Sequence, residues 1–234
     1  MGNLNLVQSL VIGALPIIFA ITIHEAAHGW VASRLGDPTA RMLGRLSLNP
    51  VRHIDPLGTV VVPLLSLLLG GILFGWAKPV PITAQNFRDP RRGMALVAVA
   101  GPASNLAMAL LWTLVIKLAL FAGPDLRWVS VPLVYMGLFG VTINLVLMWL
   151  NMVPLPPLDG GRVLSGLLPG PMSAKLDRIE PYGLFIILAL LFIPVGGGSI
   201  LGNVLWPALN WSQASLFRLF GIGPIGLQAF LAGL

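Results

Sequence analysis

The chain has no cysteine among its 234 residues and very little charge. Without thiols there is no disulfide framework and no thiolate metal site, so any metal must be held by His, Asp or Glu. Charged residues make up 9%, against roughly 25% in a soluble domain. That is too few to clothe a surface in water, and it excludes an ordinary soluble enzyme and a disordered chain. The net charge of +6 does not point to nucleic acid as a partner, because the basic residues sit in connections between apolar runs. No polar stretch is long enough for a soluble domain, and the sequence holds no internal repeat and no low-complexity linker.

What the chain does have is apolar sequence, 56% of its residues. A membrane-crossing helix takes about 20 mostly apolar residues. Candidate runs lie at 4–33, 57–76, 94–122, 129–153 and 182–206. The last contains Pro194 and Gly196-Gly197-Gly198, and a weakly amphipathic tail follows over 206–234, broken at Gly221-Ile222-Gly223-Pro224. The first run lacks a basic leader and does not read as a cleaved signal peptide. The expected fold is an all-α membrane protein, a multi-span helical bundle forming one integral membrane domain over 1–234. Arg34, Arg41, Arg45 and Arg52 follow the first run, Lys78, Arg88, Arg91 and Arg92 the second, and Arg162, Lys175 and Arg178 the fourth. The third connection carries only Asp125 and Arg127. Basic residues favour the cytoplasmic side, so the N-terminus is expected outside. The run 57–76 then enters and leaves on one side as a re-entrant or interfacial segment that Gly70-Gly71 can break. The alternative is a further full span.

Ionisable groups inside apolar runs are costly and mark function. Of the eight acids, Asp37, Asp55, Asp89, Asp125, Asp177 and Glu180 lie in polar stretches or at their edges, where water can solvate them. Glu25 and Asp159 do not. Glu25 belongs to His24-Glu25-Ala26-Ala27-His28. Residues i and i+4 stack on one helical face about 6 Å apart, so both imidazoles can reach one Zn²⁺, with Glu25 beside them as general base. His53, the only other histidine, reads as a solvated loop residue beside Arg52 and Asp55. A hydrolytic zinc site takes three protein ligands and an open position. Asp159 is the strongest candidate for the third, in Asn151-Met152-Val153-Pro154-Leu155-Pro156-Pro157-Leu158-Asp159-Gly160-Gly161. The prolines stop the helix, and irregular backbone at membrane depth must line a cavity. A turn or helix cap is the plainer role for Asp159. Asn151 is a candidate oxyanion donor or interhelical glue, and Asn105 and Asn144 read as glue. Lys117 is placed to snorkel, and Trp206 and Trp211 to anchor at the interface. Phe74-Gly75-Trp76-Ala77-Lys78-Pro79-Val80-Pro81-Ile82 is extended by its prolines. It suits either an edge that pairs with a substrate strand or a plain interfacial loop.

Together these residues resemble the site-2 protease family of intramembrane zinc metalloproteases. The likeness rests on His24-Glu25-Ala26-Ala27-His28, on Ala100-Gly101-Pro102-Ala103-Ser104-Asn105 and on Asn151 through Gly160, with Gly75-Trp76-Ala77-Lys78-Pro79-Val80-Pro81 also similar. It covers roughly 10–165 as a catalytic core and leaves a C-terminal helix and tail over 182–234 unassigned. The resemblance implies one Zn²⁺ per chain held by His24, His28 and Asp159. It implies Glu25 as catalytic acid/base and Asn151 as an aid to substrate or transition-state binding. The implied partners are transmembrane protein substrates and the lipid bilayer, with no nucleic acid. The implied setting is a prokaryotic cell membrane, with the active site toward the cytoplasm. Sequence between Asn105 and Asn144 is apolar, as in a compact member without an inserted PDZ domain. The alternative class is a non-enzymatic zinc carrier or channel, and a third is a zinc-stabilised scaffold without activity. Polar groups gathered at one depth rather than along a path favour hydrolysis.

Overall fold

Proline and charge set the ends of the long helices. The computed structural model describes residues 6–53, 55–61, 78–122 and 124–232. Helix α1 (Leu6–Arg34) closes on its one basic residue in the last turn, which favours the negative end of the helix dipole. A short α2 (Thr39–Met42) follows. Helix α3 (Pro90–Leu120) starts with proline in its first turn and Asp89 as N-cap, the carboxylate accepting from the Arg92 N–H at 3.1 Å. Proline is tolerated there because that N–H has no intrahelical partner. Helix α4 (Arg127–Asn151) ends just before Pro154, and α5 (Asp159–Leu167), α6 (Gly170–Asp177) and α7 (Glu180–Phe192) follow. A two-residue pair of strands, β1 (Pro194–Val195) and β2 (Gly198–Ser199), turns the chain into α8 (Ile200–Leu219) and α9 (Pro224–Ala232).

Among the described residues, three helices are long and apolar enough to cross a membrane: Val11–Arg34, Pro90–Leu120 and Arg127–Asn151. The 25 residues of α4 and 31 of α3 extend about 37–46 Å at 1.5 Å per residue, more than the ~30 Å hydrocarbon layer. Helices α8 and α9 form an apolar pair bent by 83°, the shape of a broken span or of a re-entrant loop. The chain is an all-α membrane protein.

The run at 182–206 is not one span. Helix α7 stops after 13 residues, and the β1–β2 turn, with Gly196 and Gly197 at positive φ, separates it from α8. Pro194 and the glycines, which the hydropathy of that run outweighs, end the helix. Apart from a π-helical turn at Pro56–Val61, the run 57–76 lies outside the described residues, and with it the re-entrant segment, Gly70-Gly71 and the first four residues of the 74–82 stretch.

Helices α3 and α4 share the most extensive packing. Ala109, Ile116, Val134, Val141 and Leu145 join Leu209, Leu216 and Ile222 in one core, so the C-terminal pair closes over α3 and α4. Trp149 donates to Ser212 at 3.0 Å, Arg127 to the Phe230 carbonyl at 2.7 Å, and Lys117 to the Gly221 carbonyl at 3.4 Å. Lys117 thus has a partner within the protein. Trp206 and Trp211 are exposed on α8.

The turn from α4 into α5 decides where Asp159 goes. A Cβ on Gly160 would strike the Met152 and Val153 carbonyls, and one on Gly161 would strike Pro156 N. Only glycine lets α5 fold back this tightly. Helix α5 then packs on α3, with its first residue, Asp159, facing α1.

Candidate metal centre

His24 and His28 stack one turn apart on α1, both buried at 7% exposure. The His28 Nδ1 lies 2.7 Å from the Val97 carbonyl of α3. A carbonyl can only accept, so Nδ1 carries the proton. A chain of amides fixes His24 in the same way. The Asn144 side chain donates to the Gly140 carbonyl at 2.8 Å, and its Oδ1 accepts from Asn105 Nδ2 at 2.9 Å. Asn105 Nδ2 also faces the Ala20 carbonyl at 3.4 Å. That leaves Asn105 Oδ1 toward His24 Nδ1 at 2.6 Å, and His24 must donate. Both neutral imidazoles therefore present Nε2 as a lone pair, the tautomer a metal requires.

The two Nε2 atoms are 3.0 Å apart, and each lies 3.3 Å from Asp159 Oδ2. Asp159 is 6% exposed, and Oδ2 has no hydrogen-bond partner. In its neutral form neither ring can donate to it from Nε2. With both rings neutral, three lone-pair atoms thus converge on one point with no donor among them, an arrangement that a bound cation satisfies. Zinc bonds of about 2.0–2.2 Å at tetrahedral angles separate neighbouring ligand atoms by about 3.3–3.6 Å, close to the observed spacing. The group can hold a metal ion, and an all N/O donor set suits zinc. Gly101 makes room: a Cβ there would sit 2.5 Å from both imidazole rings. Asp159 is not a cap, for the N-cap position of α5 is Leu158 and no side chain caps it.

The structure brings His24, His28 and Asp159 together and gives Glu25 and Asn151 separate hydrogen bonds. Glu25 is half-buried, and its Oε2 accepts the Val80 N–H at 2.8 Å. Asn151 turns back on its own helix, donating to the Leu147 carbonyl at 2.9 Å. Asn105 and Asn144 bridge α3 and α4 as expected of glue, and Asn105 also orients His24. Gly101 and Asn105 lie four apart on one face of α3, and that spacing was the available signal.

Two loop residues depart from expectation. His53 is buried at 2% exposure, with Nε2 2.8 Å from the Ser47 carbonyl, rather than solvated. Asp37 is fully buried. It accepts from the Thr39 hydroxyl at 2.5 Å, the Thr83 N–H at 2.7 Å and the Asn86 amide at 2.7 Å. Burial pushes its carboxyl up, but the donors from Thr39, Thr83 and Asn86 prevail and hold it below the usual carboxylate range. Asp37 thereby clamps the chain after 78 to the end of α1.

The chain is 39% identical over 218 residues to a Bacillus subtilis protein named "Putative zinc metalloprotease YwhC", covering 93% of each. It is 30% identical over 189 residues to Rip2 of Mycobacterium tuberculosis, named in the same way, covering 81% of this chain and 70% of that protein. A third relative, MJ0611 of Methanocaldococcus jannaschii, also bears that name, at 40% identity over 105 residues. No family model and no solved structure matches the chain. The donor set and these relatives together assign zinc to the site.

Proposed function

The chain belongs to the zinc metalloprotease family represented by YwhC and Rip2, and from that premise we propose that it is an intramembrane protease of the site-2 type. Its substrates are transmembrane segments of other proteins, locally unwound so that a peptide bond becomes attackable. The observation that carries this is the convergence of two imidazole lone pairs and an unpartnered carboxylate oxygen inside a bundle of apolar helices.

His24, His28 and Asp159 hold the metal. Zinc held there would supply a water of lowered pKa and a Lewis acid for the scissile carbonyl. Glu25 accepts a proton from the attacking water and delivers it to the leaving amine. One Glu25 oxygen is engaged by Val80, and the other is the oxygen available for that transfer. Asn151 spends one amide hydrogen on Leu147 and keeps a second donor to hold the substrate carbonyl. The site sits toward the cytoplasm of a prokaryotic cell. His28 lies six residues, about 9 Å along the axis, from Arg34 at the end of α1, and Arg41, Arg45 and Arg52 follow.

Zinc content and cleavage of model transmembrane peptides, measured side by side on purified full-length protein and its Glu25→Gln variant, test this. The expected outcome is one zinc per chain in both and cleavage by the wild type alone. Equal cleavage by the variant contradicts the role of Glu25, and absence of zinc in both contradicts the ligand set.

A further inference from the structure

A single backbone donor faces the proposed base. In Lys78-Pro79-Val80-Pro81 prolines alternate with ordinary residues, and proline has no N–H. Between Lys78 and Ile82 the only backbone donor is that of Val80, and it is the one that meets Glu25 Oε2 at 2.8 Å. The flanking groups fix it in place. The Lys78 N–H donates to the His53 carbonyl at 3.0 Å. Arg45 Nη2 donates to the Lys78 and Pro79 carbonyls at 2.9 and 3.3 Å. Downstream, the Thr83 N–H is held by Asp37. The Val80 side chain is buried over Gly29, one turn beyond Glu25 on α1. A Cβ at Gly29 would stand 3.1 Å from Val80 Cγ1. Val80 is thus seated by its side chain on the helix whose glutamate its amide contacts. The same commitments leave Lys78 to Pro81 without a free N–H, so this part of the stretch cannot donate to an added substrate strand.

We infer that Val80 is a positioning residue for Glu25: its N–H anchors Oε2 so that the side chain holds one orientation and Oε1 stays available for proton transfer. This rests on Glu25 being the general base. A carboxylate offers two oxygens with about four acceptor sites between them, so one anchored oxygen does not prevent the other from working. The alternating prolines provide an extended backbone with one donor and no competing ones.

The test uses the full-length, zinc-loaded protein with the Val80 amide replaced by an ester, through the α-hydroxy analogue of valine. This deletes the N–H and keeps the side chain. A positioned general base contributes roughly 10²–10⁴-fold, so losing the anchor but not the base should lower kcat about 10–100-fold. KM and zinc occupancy should stay unchanged. Val80→Ala, which keeps the N–H and trims only the seating side chain, should lower kcat less than the ester does. A second measurement needs no turnover. Amide hydrogen exchange at Val80 should be slow in the wild type and at least about tenfold faster in Glu25→Ala, with exchange at Thr83 unaltered. An ester variant with wild-type kcat, or Val80 exchange indifferent to Glu25→Ala, overturns the inference and leaves the protease proposal standing. A wild type that cleaves nothing contradicts the protease proposal instead, and the exchange result still decides the contact.

Discussion

At His24 the position of one hydrogen decides whether the ring can bind metal. Asn144 and Asn105 relay that choice from the Gly140 carbonyl, and the relay ends in a Nε2 lone pair. Outer partners of this kind typically account for 10–100-fold in metal affinity. Asn105→Ala is accordingly expected to weaken zinc binding by about 10–100-fold in titration against a chelator. Asn144→Ala should act in the same direction and less strongly, because Asn105 keeps its contact with Ala20. An unchanged zinc affinity in Asn105→Ala would make the amide pair interhelical glue alone. The shared face of His24 and His28 was legible because helical spacing is local. Asp159 was legible because the histidine pair needs a third ligand and the chain has no cysteine and no further histidine suited to it. The Asn105–His24 bond was not, since the partners are 81 residues apart and only the packing of α1 on α3 makes them neighbours.

Elements reach the metal centre through close approaches that glycine permits. Gly101→Ala places a methyl group 2.5 Å from both imidazoles and must push α3 away from α1 or tilt the rings. The expected result is folded protein with clearly reduced zinc, measured as metal per chain after metal-replete purification. Full occupancy would show that the rings can give. The chain following 78 depends on a different device, the Asp37 clamp. Its carboxyl lies below the ordinary value when folded, so the stabilisation is complete above the unfolded pKa of about 3.9. It is lost as pH falls through the folded value. In thermal unfolding, the wild type should melt above Asp37→Asn by a constant margin at pH 5–7, about one unit or more above the unfolded pKa. That margin should shrink below about pH 4; a margin that persists there would contradict the clamp. The burial of Asp37 and His53 was hidden from the sequence, because both sit in stretches polar enough to read as solvated. Asp37 is held by Thr83 and Asn86, and the His53 carbonyl accepts from Lys78, all distant in sequence.

For the whole molecule, the long helices were visible as apolar runs within a few residues of their ends. The break of the 182–206 run was less so, since hydropathy sums over the Pro194 and glycine turn that physically ends α7. The orientation proposed from the basic connections is open to direct mapping, because the chain has no cysteine of its own. Met42→Cys, at an exposed position, should react with an impermeant maleimide from the cytoplasmic face. Asp125→Cys, in the connection before α4, should react from the opposite face. Labelling of both from one face would overturn the topology. As proposed, this bundle hydrolyses peptide bonds inside the bilayer. The most direct measurement reconstitutes the full-length protein and a single-span substrate in liposomes and maps the cut by mass spectrometry. Cleavage is expected within or at the edge of the apolar segment, abolished by a zinc chelator and by Glu25→Gln. An intact substrate with zinc passing into the liposome lumen would contradict it and identify a carrier.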